Sequence, residues 1–386
     1  VEREEPRFLP ENKPPFLFRG KQNKNQMPNF PRLEGLLQEV VRREASDLHL
    51  TVGQPPILRV NGELQKLEQK LLTVSEIKEM VGVLCDEIAA QRVRRGEEVD
   101  LAYTDPNTRA RFRVNVYRHQ GALAAALRLI PARIRTLEEL NLPSSLARFA
   151  ELKQGFVLIV GPTGHGKTTT MASLVNLIHQ QRTEHIVTIE DPIEYIFGEG
   201  RCLIHQREVH RDTRSFAAAL RATLREDPDV VMVGEMRDLE TIATALTIAE
   251  TGHLVFATLH TNDSSQTIDR IIDVFPAAQQ NQIRVQLAAE LSGIISQRLL
   301  PAVEGGRLPA VEVLIATPAV RTAIREMQTH LIPGMLQTGK REGMVTLDQA
   351  LLQLVEGGKV RSDDAARYAR DPAQFVGQTW HKRLKT

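Results

Sequence analysis

The run Phe156-Val-Leu-Ile-Val-Gly-Pro-Thr-Gly-His-Gly-Lys-Thr-Thr-Thr carries the clearest chemistry in the chain. Gly161 is followed by four residues and then by Gly166, Lys167 and Thr168, the spacing of a phosphate-binding P-loop. An apolar strand precedes the loop and a helix-compatible segment, Met171–Ile178, follows it. In such a turn the backbone N–H groups and the helix N-terminus point at phosphate oxygens, and glycines let the backbone come close without a Cβ clash. The residues expected to hold ATP are therefore Gly161, Pro162, Thr163, Gly164, His165, Gly166, Lys167, Thr168 and Thr169. Lys167 would neutralise β- and γ-phosphate charge, and the Thr168 hydroxyl would ligate Mg²⁺. His165 either lies near a phosphate or points outward, and the outward orientation is the expectation.

Hydrolysis asks for carboxylates beside the loop, to serve Mg²⁺ and to activate water. Thr188-Ile-Glu-Asp-Pro-Ile-Glu places Glu190, Asp191 and Glu194 at one strand end, and Asp229-Val-Val-Met-Val-Gly-Glu places Glu235 just past another. Both sets fit the role, and the residues alone leave open which glutamate activates water. His260 closes a third apolar strand, Leu254-Val-Phe-Ala-Thr-Leu-His, at the end where α/β folds bind ligands. It is placed to sense a γ-phosphate by a hydrogen bond. His253 carries a weaker version of the same signal.

Strands must hold these residues. The candidates Phe156–Val160, His185–Ile189, Val230–Val233 and Leu254–Thr258 alternate with helical stretches. That alternation means an α/β unit with a mostly parallel sheet covered on both faces. From about Thr267 the pattern reads as helical, through Ile283–Leu300 and again through Val345–Gly357. Upstream lies a smaller α+β unit. Leu33, Leu36, Leu37, Val40 and Val41 recur at helical spacing. Strand patterns follow at Asp47–Val52 and Ile57–Val60, with a hairpin signal at Asn61-Gly62. Residues 72–96 read as helix, opened by a Thr73 or Ser75 cap, and strands return at Asp100–Tyr103, Ala110–Tyr117 and Ala122–Leu129. The expected division is a mobile leader over 1–30, an N-terminal domain over 31–132, a linker over 133–145, an ATPase core over 146–270 and a helical C-terminal part over 271–386. Phe8, Phe16, Phe18 and Phe30 leave a second reading of the leader, as a segment ordered by docking on a neighbour.

The 386 residues suffice for two or three domains. Forty-nine basic residues against 48 acidic give a net charge of +1, and aromatics are 4% of the chain. A protein built mainly for nucleic acid shows a clear basic excess, so no stable nucleic-acid binding is expected. Two cysteines, Cys85 and Cys202, exclude a disulfide framework and a four-cysteine zinc site. No apolar run reaches 18 residues, and Val1-Glu-Arg-Glu-Glu has no apolar core of a signal peptide. No repeat of solenoid period is present.

Taken together, these boxes resemble the secretion ATPase superfamily, and within it the type IV pilus retraction (twitching motility) family. The likeness runs over roughly residues 33–360. It rests on a Walker A loop at Gly161–Thr170, an Asp box at Thr188–Tyr195, a Walker B box at Asp229–Asp238 and a His box at Thr251–Thr261. It implies a RecA-like P-loop ATPase core, a PAS-like N-terminal domain and a helical C-terminal part. It also implies Glu194 as water-activating base, Glu235 as Walker B acid near Mg²⁺ and His260 as γ-phosphate sensor. Arg111-Phe-Arg-Val-Asn and Leu127-Arg-Leu-Ile-Pro match the family's arginine-bearing segments, which implies that Arg113 and Arg128 reach the γ-phosphate from the N-terminal domain. Two cysteines are too few for the metal module usual in pilus-extension and type II secretion ATPases, the nearest alternatives. Ala319-Val-Arg-Thr-Ala-Ile-Arg-Glu is similar to a retraction-family motif, with departures at Val320, Thr322 and Ala323. His165 stands where the family's loop usually has serine. The resemblance further implies a homohexamer at the cytoplasmic face of the inner membrane. Its implied partners are a pilus platform protein and a paralogous retraction ATPase. A RecA-like nucleic-acid motor and a non-hydrolysing partner subunit are the readings of other classes.

Overall fold

The computed structural model describes residues 30–375 apart from 61, 131 and 132; the leader over 1–29 lies outside the described residues. The apolar spacing at the start of the description forms the helix Pro31–Arg42, which buries Leu33, Leu36, Leu37 and Val40. It packs on a six-stranded antiparallel sheet of β1 (Asp47–Thr51), β2 (Ile57–Val60), β3 (Glu63–Lys66), β4 (Val99–Thr104), β5 (Arg111–His119) and β6 (Ala122–Ile130), in the order β3-β2-β1-β6-β5-β4. The helix expected over 72–96 is two helices, Val74–Leu84 and Glu87–Arg94. Cys85 is extended between them, and Asp86 accepts from the Ala89 N–H to start the second. Thr73 and Glu76 form a reciprocal cap on the first, a device contributing about 1 kcal/mol.

The two-residue period of β5 decides what this domain shows its neighbour. Phe112, Val114 and Val116 are fully buried in the domain core, so Arg111 and Arg113 stand on the other face. Across the sheet Arg113 is registered with Arg128, Arg128 with Asp47, and Asp47 with Arg59. One row of side chains thus carries three guanidinium groups and one carboxylate.

The second unit is a seven-stranded sheet of β7 (Gly155–Val160), β8 (His185–Glu190), β9 (Leu203–Glu208), β10 (Val230–Val233), β11 (Leu254–Leu259), β12 (Leu291–Pro301) and β13 (Arg307–Ile315), in the order β13-β12-β7-β11-β10-β8-β9. Every neighbouring pair is parallel except β12 with β13. All six residues of β7 and of β11 are buried, as strands covered by helices on both faces must be. The C-terminal ends of β7, β8, β10 and β11 therefore share one edge.

Two sequence expectations change here. The helical reading of Ile283–Leu300 holds only for the helix Ala277–Glu290; Leu291–Pro301 is β12, and β13 follows it. The ATPase sheet therefore continues past residue 270 into the part expected to be helical. A strand buried on both faces shows the same unbroken apolar run as a buried helix, so periodicity alone cannot separate them. Gly293 carries the discriminating cue, because a Cβ there would meet the Phe149 ring at 2.5 Å and the Leu314 carbonyl oxygen at 2.7 Å. The second change is β9, absent from the expected strands because it is mostly polar and only partly buried. The segment expected as a linker buries Leu137 and Leu142 against the ATPase core. The helices Pro318–Arg325, Ile332–Thr338, Leu347–Glu356 and Ser362–Ala366 close the described chain.

Candidate functional site

β7 ends at Val160 and the helix Lys167–Gln181 begins six residues past Gly161, so the loop between them must turn within that span. Gly161 and Gly166 make the turn with φ of +146° and +80°, conformations that favour glycine. They also come close to β12. A Cβ on Gly161 would stand 2.4 Å from the Gln297 carbonyl oxygen, and one on Gly166 2.9 Å from the Gln297 side-chain amide.

The Lys167 ammonium is buried and donates to the carbonyl oxygens of Gly161 (2.8 Å) and Pro162 (3.0 Å). Burial pushes its pKa down to about 8, against the pull of the Glu235 carboxylate. His260, at the end of β11, places Nδ1 3.2 Å from Lys167 Nζ and 3.3 Å from the Thr163 hydroxyl. Its Nε2 lies 3.3 Å from Glu235, whose other oxygen pairs with Arg237 at 2.7 Å. Sequence reasoning placed Glu235 and His260 at the ends of separate apolar strands; the parallel pairing of β10 with β11 makes those ends neighbours and brings the two residues into contact.

The end of β8 supplies two carboxylates in unlike settings. Glu190 is buried, accepts from the Thr188 hydroxyl (2.7 Å) and the Gln206 amide (3.1 Å), and is pushed up to about 7 by burial. Glu194 is half-buried, and its Oε1 lies 3.3 Å from Arg113 Nη1. Arg113 is itself held by Asp100 through a paired contact from Nε and Nη2. Its neighbour Arg111 donates to the Ile193 carbonyl at 3.0 Å and pairs with Glu208 at 3.5 Å. These contacts tie the N-terminal sheet to the segment after β8. Arg128 bonds Asp47 at 2.9 Å and keeps most of its side chain in solvent.

One cleft of about 700 Å³ joins the two units. Its walls include Thr163, Gly164, Gly166, Lys167, Thr168 and Thr169 from the loop, Glu194, Glu235 and His260 from the strand ends, and Arg113 and Arg128 from the N-terminal domain. Gly161 and Pro162 take part through their carbonyls on Lys167. His165 does turn away from the cleft, as expected, yet toward β12 rather than solvent: its Nδ1 accepts the Leu299 N–H at 3.0 Å. Sequence reasoning gave no role to Asp100, Arg111, Gln297 or Arg237, though Arg111 lay inside a quoted arginine-bearing segment. Asp100 and Gln297 act across strand register and across distant segments, which no local motif reports. Arg237 lay inside the quoted Walker B run, and its pairing with Glu235 was the overlooked signal.

A hydroxyl at Thr168 and a carboxylate at Glu235 on the same cleft wall form an all-oxygen set suited to a hard cation such as Mg²⁺. Among the described residues there is no cluster of three or more His, Cys, Asp and Glu able to cage a metal. Magnesium that arrives with nucleotide needs no such cage, since phosphates and water supply most of its ligands.

Residues 22–320 match the family model described as Type II/IV secretion system protein. The chain is 42% identical over 340 residues to the type IV pilus retraction ATPase PilT of Pseudomonas aeruginosa, covering 88% of this chain and 98% of that protein. It is 46% identical over 317 residues to a twitching motility protein of Neisseria gonorrhoeae, covering 82% and 84%. The solved structure of the pilus retraction motor PilT with bound ADP aligns with a TM-score of 0.82 at 44% identity, over 90% of this chain and 99% of that one.

Proposed function

The chain belongs to the type II/IV secretion system protein family, and from that premise we propose that it is the ATP-hydrolysing motor that retracts a type IV pilus in twitching motility. The observation that carries the reading is the two-sided cleft. Lys167 and the P-loop face Arg113 and Arg128, which belong to a different domain. A triphosphate held by both walls links the domains, and its hydrolysis removes the group that links them. The ligand shifts the domain geometry only by its differential affinity for the closed arrangement. The direction of movement follows the relatives that are similar over nearly their whole length.

In this reading the loop amides and Lys167 bind the phosphate tail. Glu194 takes the proton of the attacking water. Arg113 and Arg128 offset charge that develops on the transferred group, a contribution on the order of 10³–10⁵ in rate where one guanidinium is so placed. His260 bridges Thr163, Lys167 and Glu235, so it senses whether the γ-position is filled. Thr168 and Glu235 would hold Mg²⁺, which would supply charge neutralisation when bound. The working assembly is a homohexameric ring, peripheral on the cytoplasmic face of the inner membrane. It acts on a pilus platform protein and works alongside a paralogous retraction ATPase. Among the described residues no helix is long and apolar enough to cross a membrane.

The test is a deletion strain scored for surface pili and twitching, then complemented with wild type or Lys167→Ala. Many pili without motility, restored by wild type alone, supports retraction. Absence of surface pili in the deletion strain would instead make the chain an extension motor.

A further inference from the structure

β7 pairs with β12 only as far as Val160 with Ser296, while β12 runs on to Pro301. Past that point the edge of β12 has lost its strand neighbour, and the P-loop takes its place. Four hydrogen bonds make the substitution. The Leu299 N–H donates to His165 Nδ1 at 3.0 Å. The Gln297 side-chain amide donates to the His165 carbonyl oxygen at 2.8 Å, and its oxygen accepts from the Thr170 hydroxyl at 2.7 Å. Arg307 on β13 donates to the Gly164 carbonyl at 3.1 Å. The outer edge of the His165 ring meets Tyr368, with ring centroids 6.2 Å apart and planes at 72°.

We propose that His165 is a positioning residue for the nucleotide, whose neutral imidazole replaces a strand neighbour and seats the phosphate loop on β12. The inference rests on the nucleotide site proposed above. The ring acts through the loop, since its acceptor nitrogen is spent on Leu299 and its side chain lies outside the cleft wall. An Nδ1 that accepts a hydrogen bond carries no proton, so the hydrogen is on Nε2. A proton on Nδ1 would set two donors against each other and unseat the loop.

The charged and titratable groups around the ring are Arg298 on β12, Arg307 on β13, Lys167 at the head of the helix and Tyr368 from the C-terminal segment. Burial lowers the His165 pKa from its ordinary 6.5, and the three cations lower it further. The sign follows. The seated form is full above pH 6.5 and is lost as pH falls below that value.

The experiment is equilibrium binding of a fluorescent ADP analogue to the full chain, from pH 5 to 8, for wild type, His165→Leu and His165→Asn. Leucine fills the space without an acceptor. The asparagine oxygen reaches the Nδ1 position and does not titrate in this range. At pH 7.5 the leucine variant should bind about fivefold more weakly, the worth of one net hydrogen bond, and asparagine should recover most of that loss. Wild-type affinity should fall more steeply in acid than that of the asparagine variant, with the ligand's own titration common to both. Equal affinities for wild type and leucine, or superimposable pH profiles for wild type and asparagine, overturn the proposal. If leucine fails to fold, the asparagine profile alone decides. Wild type that binds no ADP at pH 7.5 overturns the nucleotide site itself, a result distinct from failure of the histidine's role.

Discussion

Arg113 stands between two carboxylates of different domains: Asp100 of its own sheet grips it from one side, and Glu194 of the ATPase unit meets it at 3.3 Å on the other. The same guanidinium cannot pair fully with Glu194 and with a triphosphate. In the proposed mechanism, nucleotide arriving in the cleft would compete for Arg113 and free Glu194 to accept a proton. On that reading the bridge would keep the proposed base paired until there is something to hydrolyse.

Arg113→Ala should lower kcat by on the order of 10³, with a smaller change in KM, because the interaction strengthens as charge develops. Arg113→Lys should fail to restore turnover, since an ammonium is a point charge and cannot make the paired contact with Asp100 while reaching Glu194. Steady-state ATPase assays read both. Unchanged kcat in the alanine variant removes Arg113 from the mechanism.

Glu194→Gln and Glu235→Gln should separate by what they lose. The first should bind ATP with near wild-type affinity and hydrolyse it about 10³-fold more slowly, as loss of a general base does. The second should need more Mg²⁺ to reach half-maximal rate. Titrating ATPase activity and nucleotide binding against Mg²⁺ distinguishes them, and an exchange of the two phenotypes reverses the roles of the glutamates.

Lys167→Ala should reduce turnover by on the order of 10² or more, as loss of a positioned charge does in a water-poor site. The wild-type lysine makes a second prediction. Its pKa is about 8, lowered by burial. The charged form that phosphate needs is present below that value and disappears as pH rises through it. Nucleotide affinity should therefore weaken above pH 8, and binding at pH 8.5 should take up protons. Calorimetry in buffers of unlike ionisation enthalpy measures the uptake; buffer-independent heats at that pH contradict the assignment.

Glu190 predicts a slope in stability. Its folded pKa is about 7 and its ordinary value 4.5, so between these pH values the folded chain holds a proton that the unfolded chain has released. Stability contributed by that proton is complete below 4.5 and is lost as pH rises to about 7. Melting temperatures at pH 5 and 7.5 should differ less in Glu190→Gln than in wild type. An unchanged difference shows that Glu190 does not titrate in this window.

Much of the site was legible because its parts are local. The loop from Gly161 to Thr168, the carboxylates closing β8 and β10, and His260 closing β11 each follow an apolar strand, and a parallel sheet puts such strand ends on one edge. The arginines needed the family likeness, since alternation on a strand describes a solvated face equally well. What escaped depends on register and distance. Asp47 and Asp100 are lone acids until sheet pairing sets them beside Arg128 and Arg113. Gln297 reads as an unremarked polar residue in an apolar run, and β12 itself reads as helix, because burial on both faces erases the two-residue period.

The place of β12 beside β7 also bears on how the protein comes into being at the ribosome. Leu299, whose N–H meets the His165 ring, emerges 134 residues after it. A nascent chain that has exposed its glycine loop has not yet made the strand that shapes it. The phosphate loop of a growing chain therefore stands without its β12 support until late in synthesis.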